Sequence, residues 1–545
     1  MGQFGEPGQP AQQPGGRLRI GSAADLGAAE VLRIARVGAV PELSAELTGR
    51  IAARRAQVRH ALESGDPVYG VNTGMGALSE RRLGEAEQAR HQEALMLARS
   101  AGGAPWLTRE ETRAVLAVRL RTFLNNDSGV SAALCEQLAA MLAHDVLPAI
   151  PRSGLGSAGE ILALAHLAAP ISGRGLVLAD PRFGAATATA ESVPADALPV
   201  AADAEPVPAE AALAAAGLAP LRLGPKEGVA LIQGVPVTTA LAILRAEDAR
   251  ALLRQSLAIV AAEFALTGAA YDAIDPVLAR GDEVLGRVSA ELFALAGTQV
   301  APRALQPPVS FRVSGQVLAH LDRAVTMLDA AVLRALEGIT DSPAYVEQED
   351  GGGRFLGTAG FHGYDLAAHL HILTVAVIGA AELGATRLHR MLDPKTSGLN
   401  AQLSPDPGPH TGLSPVHKRA VGVVHALRRF AVPSTVGTME TSAGQEDAQT
   451  FSVEAAEDCR LASEGLREVL ACELLALQQA RGLGARLPHD ADRLAGALDE
   501  VAAVLPSGTG DRFFGQDVGR LVELLAQGWP RFDFLRLNEV VASFE

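Results

Sequence analysis

Cysteine is nearly absent from this chain: Cys135, Cys459 and Cys472 are the only three in 545 residues. Their spacing fits neither a disulfide framework nor a zinc motif, so a stapled fold is excluded and a reducing, cytoplasmic setting is expected. Aromatic residues make up only 4% of the chain, and repeated β-branched strand patterns are missing, which argues against an α/β sheet. Positive charge is in deficit: the formal net charge is −15, whereas a nucleic-acid binder should carry a basic stripe. No apolar run reaches the roughly 18 residues of a membrane span. The longest, 370–381, contains His371 and reads as a buried core helix. The first 17 residues are rich in Gly, Pro and Gln and lack an apolar signal region, so they read as a disordered tail. His369 and His371 are two apart and point away from each other on a helix, and no metal site is expected.

What is present is helix-forming. Hydrophobic residues are 48% of the chain, dominated by Ala and Leu, which predicts a mainly all-α fold with a large core. Amphipathic patterns predict helices over 24–60, 109–124, 134–146 and 161–169. Longer ones follow over 236–267, 281–297, 314–338, 364–392, 414–430 and 447–482, and shorter ones over 489–505 and 516–527. Together they predict an elongated bundle of long antiparallel helices. The expected division is a tail over 1–17, an N-terminal active-site domain over 18–215, a central bundle over 216–482 and a helical C-terminal segment over 483–545. Within the first domain, 180–215 is rich in Ala, Thr and Pro and reads as an exposed insertion or flap.

Dispersed motifs carry the function. Tyr69-Gly70-Val71-Asn72-Thr73-Gly74-Met75-Gly76, Glu227-Gly228-Val229-Ala230-Leu231-Ile232-Gln233-Gly234 and Ser310-Phe311-Arg312 are three of them. Gly360-Phe361-His362-Gly363, Asp393-Pro394-Lys395 and Thr441-Ser442-Ala443-Gly444-Gln445-Glu446-Asp447 are three more. With the segment Gly156-Ser157-Ala158-Gly159-Glu160-Ile161-Leu162-Ala163-Leu164-Ala165-His166, they resemble the aromatic amino-acid ammonia-lyase family over about residues 20–530. That family contains the histidine, phenylalanine and tyrosine lyases and the aminomutases. In it an Ala-Ser-Gly triad cyclises to methylidene-imidazolone (MIO), an electrophile that captures the substrate. This chain places Ser157, Ala158 and Gly159 at the triad. Only the central serine can lose water to form the methylidene carbon, and here it is Ala158, so no cofactor is expected. A ring shifted to Gly156-Ser157-Ala158 is an alternative, crowded by the Ala158 methyl at a position that is glycine in the family.

The resemblance implies roles for other positions. Tyr69 corresponds to the base that removes the β-proton, and Arg312 to the clamp on the substrate carboxylate, a task suited to a planar guanidinium. Glu446 corresponds to a proton-handling acid or base; a carboxylate facing a helix dipole is its other reading. Arg99 stands where the histidine lyases carry a ring-reading histidine, and predicts an anionic or strongly polar distal group; a surface ion pair is its alternative. Gln233, Gln445, Lys395 and Phe361 are the remaining substrate-binding candidates. Departures from the family are Val309 for a tyrosine, Gln233 and Gly360 for asparagines, and Ala158 for serine. The expectation is therefore a carbon–nitrogen lyase acting without MIO on a small, amino-acid-derived zwitterion, like the MIO-free relative ergothionase. Natural-product metabolism would suit it. The competing expectation is an inactive homologue with a binding or assembly role. The resemblance further implies a homotetramer with active sites shared between chains.

Overall fold

The computed structural model describes residues 15–180, 205–299, 301–349 and 352–534. Residues 1–14 of the expected tail and 181–204 of the expected insertion lie outside them. The fold is mainly helical, as the composition predicts. Helices α1 (Ala28–Val37), α2 (Ala45–Leu62), α3 (Glu85–Arg99), α4 (Arg109–Phe123) and α5 (Ala132–Ala143) open the chain. They are followed by α6 (Ile161–Ala168), α7 (Ala209–Ala215), α8 (Glu227–Ile232), α9 (Pro236–Thr267) and α10 (Glu283–Ala296). Then come α11 (Val309–Arg312), α12 (Ser314–Glu337), α13 (Tyr364–Met391), α14 (Pro394–Ser397) and α15 (Ser414–Leu427). The chain closes with α16 (Ser452–Gly482), α17 (Asp492–Val504) and α18 (Phe514–Ala526). Among the described residues, named strands form two-stranded pairs, including a parallel one joining Arg17–Ile20 to Val40–Leu43.

Local chemistry explains several helix starts. Thr108 Oγ1 accepts from Glu111 N at 3.2 Å while Glu111 Oε2 accepts from Thr108 N at 2.9 Å, a reciprocal cap that opens α4. Ser131 caps α5 through Leu134 N. The start of α9 is held from elsewhere in the sequence: Val237 N and Thr238 N each donate at 2.7 Å to Glu160.

Three expectations need correction. Residues 207–215 are not part of an exposed flap. Val207–Pro208 pairs with Leu176–Val177, and α7 buries Ala209, Ala212 and Leu213, an apolar face that the Ala-rich composition hid. The serial domain boundaries also differ from the observed division into two compact units, each gathering three chain segments. One unit comprises Met1–Leu244, Asp329–Ala368 and Ser434–Glu457; the other comprises Arg245–Leu328, His369–Pro433 and Asp458–Glu545. Finally, Glu227–Thr267 and Gly360–Met391 are long and apolar enough to cross a membrane, with mean hydropathy 1.6 and 1.7. Scattered polar residues interrupt the apolar runs without lowering their average. The apolar window of the first is wholly buried, as in a core helix. The three cysteines are buried thiols, and burial pushes Cys135 and Cys472 up to about 12.

The second unit contains an unusual charge arrangement within its helix core. Arg387 on α13 donates from Nε to Glu263 of α9 at 2.6 Å and from Nη2 to Glu473 of α16 at 2.8 Å. Both carboxyl groups are fully buried, and Glu263 Oε1 and Glu473 Oε2 have no hydrogen-bond partner among the described residues. One guanidinium cannot neutralise two carboxylates. Burial, followed by repulsion from Glu473, pushes the Glu263 carboxyl well above the usual carboxylate range, with Arg387 opposing the shift.

The sign follows directly. The folded chain keeps a proton that the unfolded chain releases once pH exceeds the ordinary glutamate value, so this site loses stability as pH rises. Glu263→Gln, which carries no charge to develop and keeps an oxygen for Arg387 Nε, should flatten the decline in Tm from about pH 5 to 8. It should gain on the order of 1–3 kcal/mol over the unmodified chain at the alkaline end. Thermal unfolding across a pH series checks this; parallel curves for the two proteins would contradict it.

Candidate active site

The loop after α2 is built by its own side chains. Asn72 Oδ1 accepts from Val68 N at 2.7 Å, Asn72 Nδ2 donates to the Asp66 carbonyl at 2.7 Å, and Thr73 Oγ1 accepts from Gly70 N at 3.1 Å. Gly70 adopts φ +66° where a Cβ would lie 2.8 Å from Met75 Cγ, so this turn requires glycine. The result presents Tyr69, half-buried, with its phenol oxygen accepting from Gly76 N at 2.8 Å. Gln92 on α3 fastens the loop from behind, donating to the Gly70 carbonyl at 3.0 Å and accepting from Val229 N at 3.2 Å.

A second loop, 441–446, supplies Glu446. Thr441 N donates to the Glu446 carbonyl at 2.9 Å, closing the loop. Thr441 Oγ1 donates to Glu446 Oε2 at 2.9 Å and Ser442 Oγ to Oε1 at 3.0 Å. Oε2 also accepts from Ala158 N at 3.0 Å. Glu446 is thereby hydrogen-bonded to the middle residue of the degenerate triad. It lies in a loop rather than in the first turn of α16, so a helix dipole is not what positions it.

The triad itself is a Gly-rich turn. Ser157 Oγ donates to the Gly159 carbonyl at 3.1 Å. Gly159 has φ +82°, and a Cβ there would lie 2.8 Å from the Phe361 carbonyl oxygen and 3.1 Å from its ring. Next in sequence, Glu160 is buried and grips the first turn of α9. Burial pushes its carboxyl up to about 7, against the pull of Thr238, Val237 and the Arg119 charge. Gln233, also buried, follows α8, and its backbone carbonyl accepts from Arg119.

Arg99, half-buried at the end of α3, joins these groups electrostatically. Burial lowers its pKa, while Tyr69 and Glu446 raise it by charge attraction. Tyr69, Arg99, Glu446 and the triad thus come together within one compact unit, with Phe361 against the triad. Gln445 is exposed there. Arg312 and Lys395 belong to the other unit. Arg312 Nη1 donates to Gln306 Oε1 at 3.1 Å, and its buried Nε has no partner among the described residues. Lys395 lines a cavity of about 300 Å³ with Arg303 and Gln306. Val309 is exposed at the start of α11. One group was missed by sequence reasoning: Glu160 lay inside the motif without a role, and its partners are 77 and 78 residues away.

The model of the aromatic amino acid lyase family matches residues 26–503. The chain belongs to that family. It is 31% identical over 527 residues to a histidine ammonia-lyase of Sorangium cellulosum, spanning 92% of this chain and 96% of that one. A histidine ammonia-lyase of Symbiobacterium thermophilum is 30% identical over 510 residues, covering 92% and 95%. The fold matches tyrosine aminomutase from Streptomyces globisporus with a TM-score of 0.83 at 24% identity, over 94% of this chain and 96% of that one. Ergothionase from Treponema denticola, solved with desmethyl-ergothioneine sulfonic acid, also gives 0.83, at 20% identity over 96% and 100%. These likenesses establish the helical aromatic-lyase fold.

The triad turn depends on glycine at its third position. Gly159→Ala should cost roughly 1–3 kcal/mol, from the left-handed backbone and the Phe361 carbonyl together. It should lower Tm and disturb the Ala158–Glu446 contact. An unchanged melting curve would show that Phe361 does not pack against this turn.

Proposed function

We propose that this chain is an MIO-independent lyase that forms or consumes an α,β-double bond on a small, amino-acid-derived zwitterion. The observation that carries the reading is chemical. The methylidene carbon of MIO is a serine Cβ after loss of its oxygen, and Ala158 has no oxygen to lose. The residues present therefore do not fit that group. What stays in place around Ala158 is a phenol, a guanidinium and a carboxyl group.

In the eliminating direction, Tyr69 takes the β-proton. The Cβ–H electron pair becomes the Cα=Cβ bond, and the leaving amine departs with the Cα–N pair. Tyr69 takes the proton as its phenolate, and the Gly76 N–H, 2.8 Å from the phenol oxygen, stabilises the negative charge that the transfer then removes. Arg99 adds a positive charge nearby. Glu446 serves as acid/base partner through Oε1, which has one donor where Oε2 has two. Without an electrophile to activate the amine, the leaving group must be good by itself. A quaternary ammonium meets that condition, since it carries its charge permanently and leaves as a neutral amine. Ergothionase is the family precedent for this logic.

Arg312 is the carboxylate clamp in this reading, with Lys395 and Gln445 at the margin and Gln233 and Phe361 shaping the pocket. We place Arg312 at the site through a homotetramer in which a second protomer supplies it. The protein is cytoplasmic in this reading, takes a small-molecule substrate, and has no nucleic-acid or membrane partner. An inactive, ligand-binding homologue is the second reading; exposed Val309 in place of the family's second tyrosine favours it.

Two measurements test the proposal. Intact-mass analysis should give the mass of the unmodified sequence, and a deficit of two waters would reveal a ring and overturn it. A panel of aromatic amino acids and their betaines should yield a conjugated acrylate detectable by ultraviolet absorption. On a substrate found this way, Tyr69→Phe should lower kcat at least ~100-fold with KM little changed. Unchanged turnover would remove Tyr69 from the mechanism, and binding without turnover across the panel would favour the inactive homologue.

A further inference from the structure

A cavity of about 180 Å³ lies within the first compact unit, on a side of α3 that the reaction above does not use. Its apolar lining includes Met96, Leu97 and Pro220, and three charged side chains border it: Glu93, Arg174 and Arg222. Glu93 and Leu97 are four residues apart and share one side of α3. Arg99 projects about 120° around the helix from Glu93 and about 160° from Leu97. The cavity therefore opens on a different side of α3 from the reacting groups.

Backbone hydrogen bonds set the two arginines side by side. Gly173 N and Arg174 N donate to the Pro170 and Ala169 carbonyls, each at 3.0 Å, closing a tight turn after α6. Leu221 N donates to the Ile171 carbonyl at 2.9 Å, which brings the segment of Arg222 against that turn. Gly173 suits the junction: its φ is +75°, and a Cβ there would lie 3.0 Å from Pro220 Cγ. The three charged side chains are exposed, and none forms a hydrogen bond or an ion pair among the described residues. Two guanidinium groups and a carboxylate thus border one cavity without neutralising one another. A lone exposed charge is simply hydrated. Three that converge around an apolar lining offer a ligand both charge pairing and burial.

We propose that this cavity binds a small amino dicarboxylate. Arg174 and Arg222 each take one carboxylate, Glu93 takes the ammonium, and the methylene stem lies on Met96, Leu97 and Pro220. The balance of charges selects this class: two cations and one anion on the protein match two anions and one cation on the ligand. An inorganic anion would face Glu93 with nothing to offer it, and a neutral amino acid would leave one guanidinium without a partner. No residue of this cavity takes part in the proposed reaction, so the inference does not rest on the lyase reading.

Calorimetric titration of the full-length protein with L-glutamate, glutarate and L-norvaline tests it. L-Glutamate should bind at least about tenfold more tightly than glutarate, which lacks the ammonium, or L-norvaline, which lacks the second carboxylate. Arg174→Gln and Arg222→Gln should each weaken L-glutamate binding about tenfold with Tm unchanged, because exposed side chains without partners add little to folding stability. Glu93→Gln should reverse the order of two probes, so that glutarate binds more tightly than L-glutamate; loosened packing would not produce that switch. The assignment is overturned if L-glutamate does not bind, if the three probes bind equally, or if Glu93→Gln leaves their order unchanged. It is equally overturned if L-glutamate affinity survives either arginine substitution. The lyase site stands in each of these cases, since its residues lie elsewhere.

Discussion

Two backbone N–H groups at the start of α9, each 2.7 Å from the Glu160 carboxyl, fix the geometry of the first compact unit. They join the end of the Gly-rich triad turn to a helix that begins more than 70 residues later, and they satisfy two of the donors a helix start leaves open. The bond is demanding because the group is buried: desolvation pushes the carboxyl up to about 7, and only the two donors, Thr238 and the Arg119 charge pull it back. From that anchor the triad turn is set on both sides. Phe361 presses on Gly159, and Glu446 takes the Ala158 N–H. Moving Glu160 would displace the groups that the proposed chemistry uses.

The loss of one hydroxyl changes what such a site can do without emptying it. An electrophile makes a poor leaving group workable; remove it, and the burden passes to the substrate. In the proposed reaction the remaining residues suit a substrate that brings its own leaving group: a phenol with a donor on its oxygen, a cation, and a carboxyl held in place. Glu446 shows how closely the loop fits the altered triad. Three donors converge on it, one of them the peptide nitrogen of the residue that lost its hydroxyl.

Much of the helical fold was legible because local signals agreed with the packing. Pro236, Ser314, Gly363 and Pro394 mark the ends of long apolar repeats, and α9, α12 and α13 lie within a residue of the spans expected from them. The start of α16 was misjudged by five residues. Residues 447–451 have helix-compatible composition, but Gln449 N donates to Thr438 Oγ1, Gln449 Nε2 to Thr441 Oγ1, and Thr450 Oγ1 to the His362 carbonyl. These non-local bonds hold the segment as the arm of the Glu446 loop, and Phe451 turns into α16 at φ +47°. A one-dimensional pattern does not contain them. The strand at Val40–Leu43 was lost for the same reason, since its partner, Arg17–Ile20, lies on the far side of α1 in sequence.

The same contrast separates the parts of the site. Tyr69 was legible because the residues that shape its loop are its neighbours: Asn72, Thr73 and the glycines fold the turn on themselves, so a short motif carries the structure. Glu160 is the opposite case: its partners Val237 and Thr238 lie 77 and 78 residues away, so no local pattern announces that it holds the start of α9.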